Sequence, residues 1–401
     1  MAFVSCVRTV RSRGQPLIPL ALVLSICTFV KFNFSRDENS HAADISFQAP
    51  GADSAASTLF SQNEGTRTAR GEELVFFLIL CEGKPKADQG GKTASDIGRQ
   101  IRQAAVMLKS AAALTSAFLK FLVIADSKQL YQQLVDTTSR WPHEYRQRLS
   151  FEYHDVWYPA GRAEMRNMFR VCATERLFLP DMFPDLDAAI YIDTDLVFLR
   201  PPEDLWAEFR NFDDGQVAAM APCLYHYDSN KNKIPFYGTS GLNAGIMHMN
   251  LTRMKSFPEG GWTPAVMKVF DVFRKKIKLA DQDMLNILFH KYPEKLYELG
   301  CEWNYRLWLC SQGRNLCPQA AAKGVSILHG NALAFVSGAE RKLQAVFDAW
   351  ERYQMGDPLR DLLTSLQKDL ADVNKKNQQS KCMRISNIDA ILLKQFKKHV
   401  H

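Results

Sequence analysis

The five residues Ala188-Ala189-Ile190-Tyr191-Ile192 run directly into Asp193-Thr194-Asp195, and no other feature restricts the folding of this chain more. An unbroken apolar run of this length suits a strand buried on both faces, as in a parallel sheet. Open α/β sheets bind ligands beyond the carboxyl ends of their strands. Two carboxylates one residue apart repel each other unless a cation or hydrogen bonds compensate. Taken alone, Asp-x-Asp is a turn or a helix cap, because aspartate serves in both. At the end of a buried strand it becomes a site for a hard divalent ion, which oxygen ligands hold and which can bridge phosphate oxygens. Asp193 and Asp195 are therefore candidate metal ligands.

The surrounding pattern agrees. Apolar runs at Leu74–Leu80, Phe121–Ala125 and Leu149–Tyr153 alternate with helical periodicity over Ile97–Leu114 and Lys128–Val135. Such β-α-β-α-β order predicts an α/β fold with a doubly wound, mostly parallel sheet flanked by helices. At 401 residues, 46% hydrophobic and 11% aromatic, the chain can bury a large core and is not globally disordered. The net charge of +7 is spread over both ends. It suits an anionic small ligand or an acidic membrane surface and is too diffuse for a nucleic-acid surface.

At the N-terminus, Arg8, Arg11 and Arg13 precede an apolar run from Pro16 to Val30, closed by Lys31. Two readings fit: a short signal anchor extended through Phe32 and Phe34, or a cleaved signal. The basic flank predicts an N-in, C-out orientation. The expected organisation is a cytosolic tail (1–15), a transmembrane signal anchor (16–34), a polar, disordered lumenal stem (35–72), a catalytic domain (73–365) and a charged, weakly structured basic tail (366–401). This implies a single-pass type II protein of the endoplasmic reticulum or Golgi. Of nine cysteines, seven would then be lumenal, where disulfides form. Cys310 and Cys317 flank a Gly-containing loop and are the expected local pair, and the odd count leaves at least one thiol over. The irregular spacings make a zinc site the weaker reading. Asn33-Phe34-Ser35 and Asn250-Leu251-Thr252 are glycosylation sequons.

Further candidates follow other apolar runs. His329-Gly330-Asn331 closes the run from Gly324 to Leu328. His329 is a plausible third metal ligand or a satisfied structural histidine, and Gly330 would admit a phosphate close to the backbone. Asp281-Gln282-Asp283 opens an apolar helix, either as acids in its first turn or as a polar cluster gripping a sugar. Asn243-Ala244-Gly245 adjoins the strand Ile246–Met249. Cys301-Glu302-Trp303-Asn304-Tyr305-Arg306 offers aromatic faces that could pack against a sugar or lie in the core.

The ordered set Arg176-Leu177-Phe178-Leu179-Pro180, Tyr191-Ile192-Asp193-Thr194-Asp195, Leu242-Asn243-Ala244-Gly245, Asp281-Gln282-Asp283 with Leu285-Asn286, and His329-Gly330 resembles the retaining glycosyltransferases of family 8, which have a GT-A fold. Val171-Cys172-Ala173, Phe198-Leu199-Arg200-Pro201, Ala218–Pro222, Trp303-Asn304-Tyr305-Arg306 and Ile327–Asn331 resemble the glucoside xylosyltransferase branch. The resemblance implies α-1,3 transfer of xylose from UDP-xylose, with Mn²⁺, to glucose O-linked to serine of epidermal-growth-factor-like repeats of the Notch type. It implies that Asp193, Asp195 and His329 bind the metal. It further implies that Arg176, Asn243 and Asp281 contact the donor sugar and its neighbourhood, that Gln282 lies near the anomeric carbon, and that Leu80, Cys81 and Glu82 lie by the uridine. Thr194, Ala244, Gly245, Gly330 and Asn331 complete the expected donor-binding set. Two departures stand out: a long Gly- and Lys-rich stretch between Glu82 and Arg102, and no lysine shortly after His329-Gly330, for which Lys342 is the candidate replacement.

Retention ordinarily points to a carboxylate nucleophile. Glutamine at 282 is a poor one, so a front-face attack is expected, with the departing phosphate as base. Two alternatives remain open: a glucosyl- or galactosyltransferase using another UDP-sugar, and a carbohydrate-binding protein without turnover.

Overall fold

In the computed structural model, β1 (Glu73–Leu80) shows why its residues form a two-sided strand. Leu74, Phe76, Leu78 and Leu80 enter one core cluster while Phe77 enters another on the opposite face. The same alternation recurs in β2 (Phe118–Ala125), where Phe121, Val123 and Ala125 oppose Leu122 and Ile124. The sheet is thus covered on both sides, as a parallel sheet requires. The described residues are 73–82, 97–168, 172–227, 233–336, 338–375 and 380–400. The cytosolic tail, anchor, stem, Asn33 sequon, Val171 and most of the Gly- and Lys-rich stretch lie outside them. Among the described residues no helix is long and apolar enough to cross a membrane.

The remaining strands are β3 (Leu149–Asp155), β4 (Ala188–Ile192), β5 (Leu196–Phe198), β6 (Ala218–Pro222), β7 (Leu242–Asn250), β8 (Leu296–Glu298), β9 (Tyr305–Arg306) and β10 (Ile327–His329). Seven of the strands form one sheet, in the order β3-β2-β1-β4-β7-β6-β8. β1 to β4 run parallel, β6 pairs β8 in parallel, and β7 lies antiparallel between β4 and β6. The sheet is mixed but mostly parallel, as expected. The helix Ile97–Leu114 covers one face, burying Ala104, Met107, Leu108 and Ala111 at helical spacing. The second sheet, β5-β10-β9, begins where β4 ends.

The C-terminal segment corrects the expectation of a weakly structured tail. Helices Leu359–Lys375 and Ile388–Val400 pack onto helix Arg341–Arg352. Ile388, Ile391, Leu392, Gln395 and Phe396 are buried. Their i, i+3, i+4, i+7, i+8 spacing is that of a core-facing stripe, and the basic residues between them had masked it. Phe396 meets Trp350 edge-on at 5.6 Å. Lys342 is buried here, donating to the Leu370 carbonyl at 2.7 Å and pairing with Asp389 at 2.6 Å. It ties three helices together and cannot replace a phosphate-binding lysine.

Among the described residues the disulfides are Cys81–Cys172, Cys301–Cys317 and Cys310–Cys382, leaving Cys223 as the free, buried thiol there. The expected Cys310–Cys317 bridge does not form, because the fold brings each of these sulfurs to a different partner. Cys301 and Cys317 cluster with Glu302, yet their sulfurs are bonded to each other and are not metal ligands. Asn250 is 6% exposed, and its side-chain oxygen accepts from the Arg253 amide at 2.9 Å. It caps a helix, so this sequon presents no accessible asparagine.

Candidate active site

The end of β4 places Asp193 and Asp195 on a short bend before β5. β10 pairs antiparallel with β5, with His329 opposite Leu196. That pairing brings His329 Nε2 to 3.6 Å from Asp193 Oδ2 and 3.4 Å from Asp195 Oδ1. The ligand atoms of the three lie within 4.8 Å of one another. Close packing is built into the backbone: a Cβ on Gly245 would stand 2.3 Å from His329 Cε1. The Asp193 amide donates to the Gly245 carbonyl at 2.9 Å, and the Gly330 amide to the Asp195 carbonyl at 2.7 Å.

A directed line of hydrogen bonds leaves this triad. His329 Nδ1 lies 2.8 Å from Asn304 Oδ1, and Asn304 Nδ2 donates to Asn243 Oδ1 at 2.8 Å. Asn243 Nδ2 donates to Gln282 Oε1 at 2.9 Å, and Gln282 Nε2 lies 3.4 Å from the Tyr227 hydroxyl. Tyr227 donates to Asp283 Oδ1 at 2.6 Å, while Asp283 Oδ2 accepts the amides of Lys278 and Leu279. The acceptor at the far end is a carboxyl group, so every donor points the same way. Asn304 therefore turns its oxygen to His329, and His329 carries its proton on Nδ1. The Nε2 lone pair is left facing the two aspartates. A neutral imidazole nitrogen and two carboxylates fit a divalent cation, and an orienting partner on the other ring nitrogen is usual for a metal-binding histidine.

Arg176 joins the two ends. It contacts Asp193 at 3.2 Å and Asp281 at 3.0 Å, and it donates to the Ala244 carbonyl at 2.5 Å. Its guanidinium lies over the Tyr191 ring, 3.9 Å from the centroid. Burial raises the Asp281 carboxyl to about 6, with Arg176 opposing the rise. Asp281 and Asp283 sit in the first turn of helix Asp281–Lys291, as the helix-start reading of this segment has it. The helix is fixed to β7 by Asn286, whose amide group bonds both the amide and the carbonyl of Leu242.

The other expected residues fall at neighbouring strand ends. Leu80 closes β1 in the core, Cys81 is bridged to Cys172, and the Glu82 amide donates to Asp126 at 2.7 Å. Thr194 lies between the two aspartates, and Asn331 follows Gly330 with its side-chain oxygen buried and unpartnered. Tyr227 and the linking role of Asn304 were missed. The only signal for Asn304 is a short amide set between two aromatic residues in a buried stretch.

The family model described as Glycosyl transferase family 8 matches residues 54–332. The chain belongs to glycosyltransferase family 8. It is similar to glucoside xylosyltransferase 1 of Gallus gallus, 34% identical over 317 residues, or 76% of this chain and 71% of that one. It is also similar to glucoside xylosyltransferase 1 of Danio rerio, 36% identical over 272 residues, or 65% of this chain and 67% of that one. Among solved structures, the galactosyltransferase LgtC in complex with donor and acceptor sugar analogues aligns with a TM-score of 0.50 at 15% identity, over 73% of this chain and 100% of that one. That likeness concerns the fold alone, which is GT-A-like. The chain is thus a glycosyltransferase, and membership implies a nucleotide-sugar donor, while the triad at the end of β4 is consistent with a divalent cation.

Proposed function

We propose that this glycosyltransferase moves xylose from UDP-xylose, with retention, onto the 3-hydroxyl of glucose O-linked to epidermal-growth-factor-like repeats. The observation that carries the reading is the unbroken link from the metal triad to Gln282, in a chain 34% identical to a glucoside xylosyltransferase. Asp193, Asp195 and His329 would hold Mn²⁺, which when bound offsets charge on the UDP leaving group. Arg176, Asp281 and Asn243 would orient the sugar, with Leu80, Cys81 and Glu82 beside the uridine and Thr194, Ala244, Gly245, Gly330 and Asn331 along the diphosphate. Three disulfides support an oxidising compartment, in keeping with a type II protein of the endoplasmic reticulum or Golgi whose residues 16–34 anchor it.

Gln282 bears on the stereochemical course. Its side-chain oxygen already accepts from Asn243 Nδ2 and from the Ala244 amide at 3.3 Å. An amide oxygen so occupied is a poor nucleophile. Asp281 faces Arg176, and Asp283 is taken up by Tyr227 and two backbone amides. The acceptor hydroxyl therefore attacks from the face that UDP leaves. The bond from the anomeric carbon to the phosphate oxygen breaks, the bond to the acceptor oxygen forms, and the hydroxyl proton passes to the departing phosphate.

The test is a donor screen on the purified full chain with UDP-xylose, UDP-glucose and UDP-galactose, a β-glucoside acceptor, and EDTA as control. UDP-xylose alone is expected to give an α-1,3-linked product that EDTA abolishes. Preference for a hexose donor would overturn the choice of sugar, and no UDP release from any donor would point to a binding protein. Trapping a xylosyl ester on Asp281 or Asp283 would overturn front-face attack.

A further inference from the structure

Beside this site lies an aromatic cluster that neither the triad nor the hydrogen-bond line uses. Tyr225 and Trp308 stack with ring centroids 5.2 Å apart and planes 3° from parallel. His226 meets both edge-on, at 5.9 Å and 5.3 Å. Tyr225 is 44% exposed, and it and Trp157 are the two exposed large aromatics among the described residues. Aromatic rings of this size are usually spent in the core, so a stacked pair held at the surface calls for an occupant.

The position of the pair names the occupant. Tyr225 follows the end of β6, two residues from Cys223 and two from Tyr227, and both of those side chains approach Gln282 Nε2. Trp308 lies two residues beyond Arg306, which pairs in β9 with His329 of β10. A chain advances at most about 7 Å over two residues, so the backbone that carries the two rings lies close to the residues that meet Gln282 and pair with His329. Their support is rigid. Arg306 is fully buried, and its Nη2 donates to the carbonyls of Pro222 at 3.2 Å and Cys223 at 2.5 Å, at the root of the Tyr225 turn. Burial and the nearby Arg306 charge hold the His226 imidazole below its ordinary value, so this wall is neutral around pH 7. A flat, uncharged aromatic surface beside a sugar-transfer centre suits the apolar C–H face of a pyranose rather than a phosphate or a peptide charge.

We propose that Tyr225 and Trp308 form the acceptor platform, packing against the C–H face of the β-glucoside ring and presenting its hydroxyl to the donor. A β-glucoside has only equatorial substituents, so its ring faces carry only hydrogens and lie flat on an aromatic plane. The proposal deepens the transferase reading by assigning its acceptor subsite, and it rests on that reading.

The test measures binding apart from transfer, by titrating methyl β-glucoside into the full chain with calorimetry. Tyr225→Ala and Trp308→Ala are each expected to weaken glucoside binding about tenfold. Tyr225→Phe, which keeps the ring, should stay within about twofold of the natural protein, and so should Val272→Ala, which alters an exposed apolar side chain elsewhere. In parallel, UDP release from UDP-xylose without acceptor should be unchanged in Val272→Ala, while in Tyr225→Ala the acceptor KM rises. Tyr225 is half out of water, so its removal leaves the fold intact and decides the question should Trp308→Ala not fold. Unchanged glucoside binding in Tyr225→Ala, or no binding by the natural protein, would overturn the platform. Binding that depends on the rings, in a protein that releases no UDP from UDP-xylose, would uphold the platform and sink the xylosyl reading.

Discussion

The two ends of the site use opposite chemistry. At the proposed metal end, two carboxylates and an imidazole converge at strand ends, and a cation would relieve their mutual charge. At the sugar end, Asn243, Gln282 and Asn304 are neutral amides whose every bond is directional. A metal end tolerates small displacements, because an ion settles among its ligands. An amide end does not, because each group has one oxygen and one nitrogen to place. Under the proposed function, one fold would grip a diphosphate by charge while holding the reacting carbon by geometry.

The comparison breaks first at its charged end. Asp195→Asn is expected to lower transfer about a thousandfold and to abolish the rise in melting temperature expected of the natural protein with Mn²⁺. Gln282→Ala is expected to lower transfer about a hundredfold through lost positioning, with that Mn²⁺ response intact. Equal losses of both properties in both variants would show that the ends are not separable. Asn304→Ala touches both ends at once. Calorimetry should show Mn²⁺ binding weakened by roughly ten- to a hundredfold, with transfer falling alongside. Normal Mn²⁺ affinity in this variant would mean that His329 needs no orienting partner.

The smallest effect concerns the turn that carries Arg176, the cation between the ends. Burial raises the adjacent Glu175 from 4.5 to about 7, despite the hydrogen bond it accepts from the Trp157 amide. The folded state therefore favours the protonated acid. That stability is complete below about pH 4.5 and lost as pH rises through about 7, amounting to on the order of 3 kcal/mol. The melting temperature should fall between pH 5 and pH 8, and Glu175→Gln should flatten the decline. An identical slope in the variant would place the titrating group elsewhere.

Much of this was legible in the chain. β1, β2 and β4 could be read because they are buried on both faces, and such strands are continuous apolar runs. Asp193, Asp195 and His329 could be read because charge at the end of an apolar run is costly without a reason. The C-terminal helices were hidden because Lys394, Lys397 and Lys398 share a segment with Ile391, Leu392 and Phe396, and charge was weighed above period. The Cys310 partner was hidden because disulfide pairing follows spatial proximity, and Cys382 is brought close only when the last helices dock. Lys342 looked like a ligand for phosphate because nothing local shows that Asp389 lies across from it.

The sequence by itself determined where the carboxylates stand, since an apolar run ending in Asp193-Thr194-Asp195 can be buried only as a strand with its acids at the tip. It also determined the residue types that a nucleotide-sugar site requires. Only the tertiary structure decided that these residues form one site. β10 must pair with β5 to bring His329 to Asp195, and the helix beginning at Asp281 must be bound to β7 before Gln282 can meet Asn243. Both are contacts between segments far apart in the chain, set by packing and strand pairing rather than by any local preference.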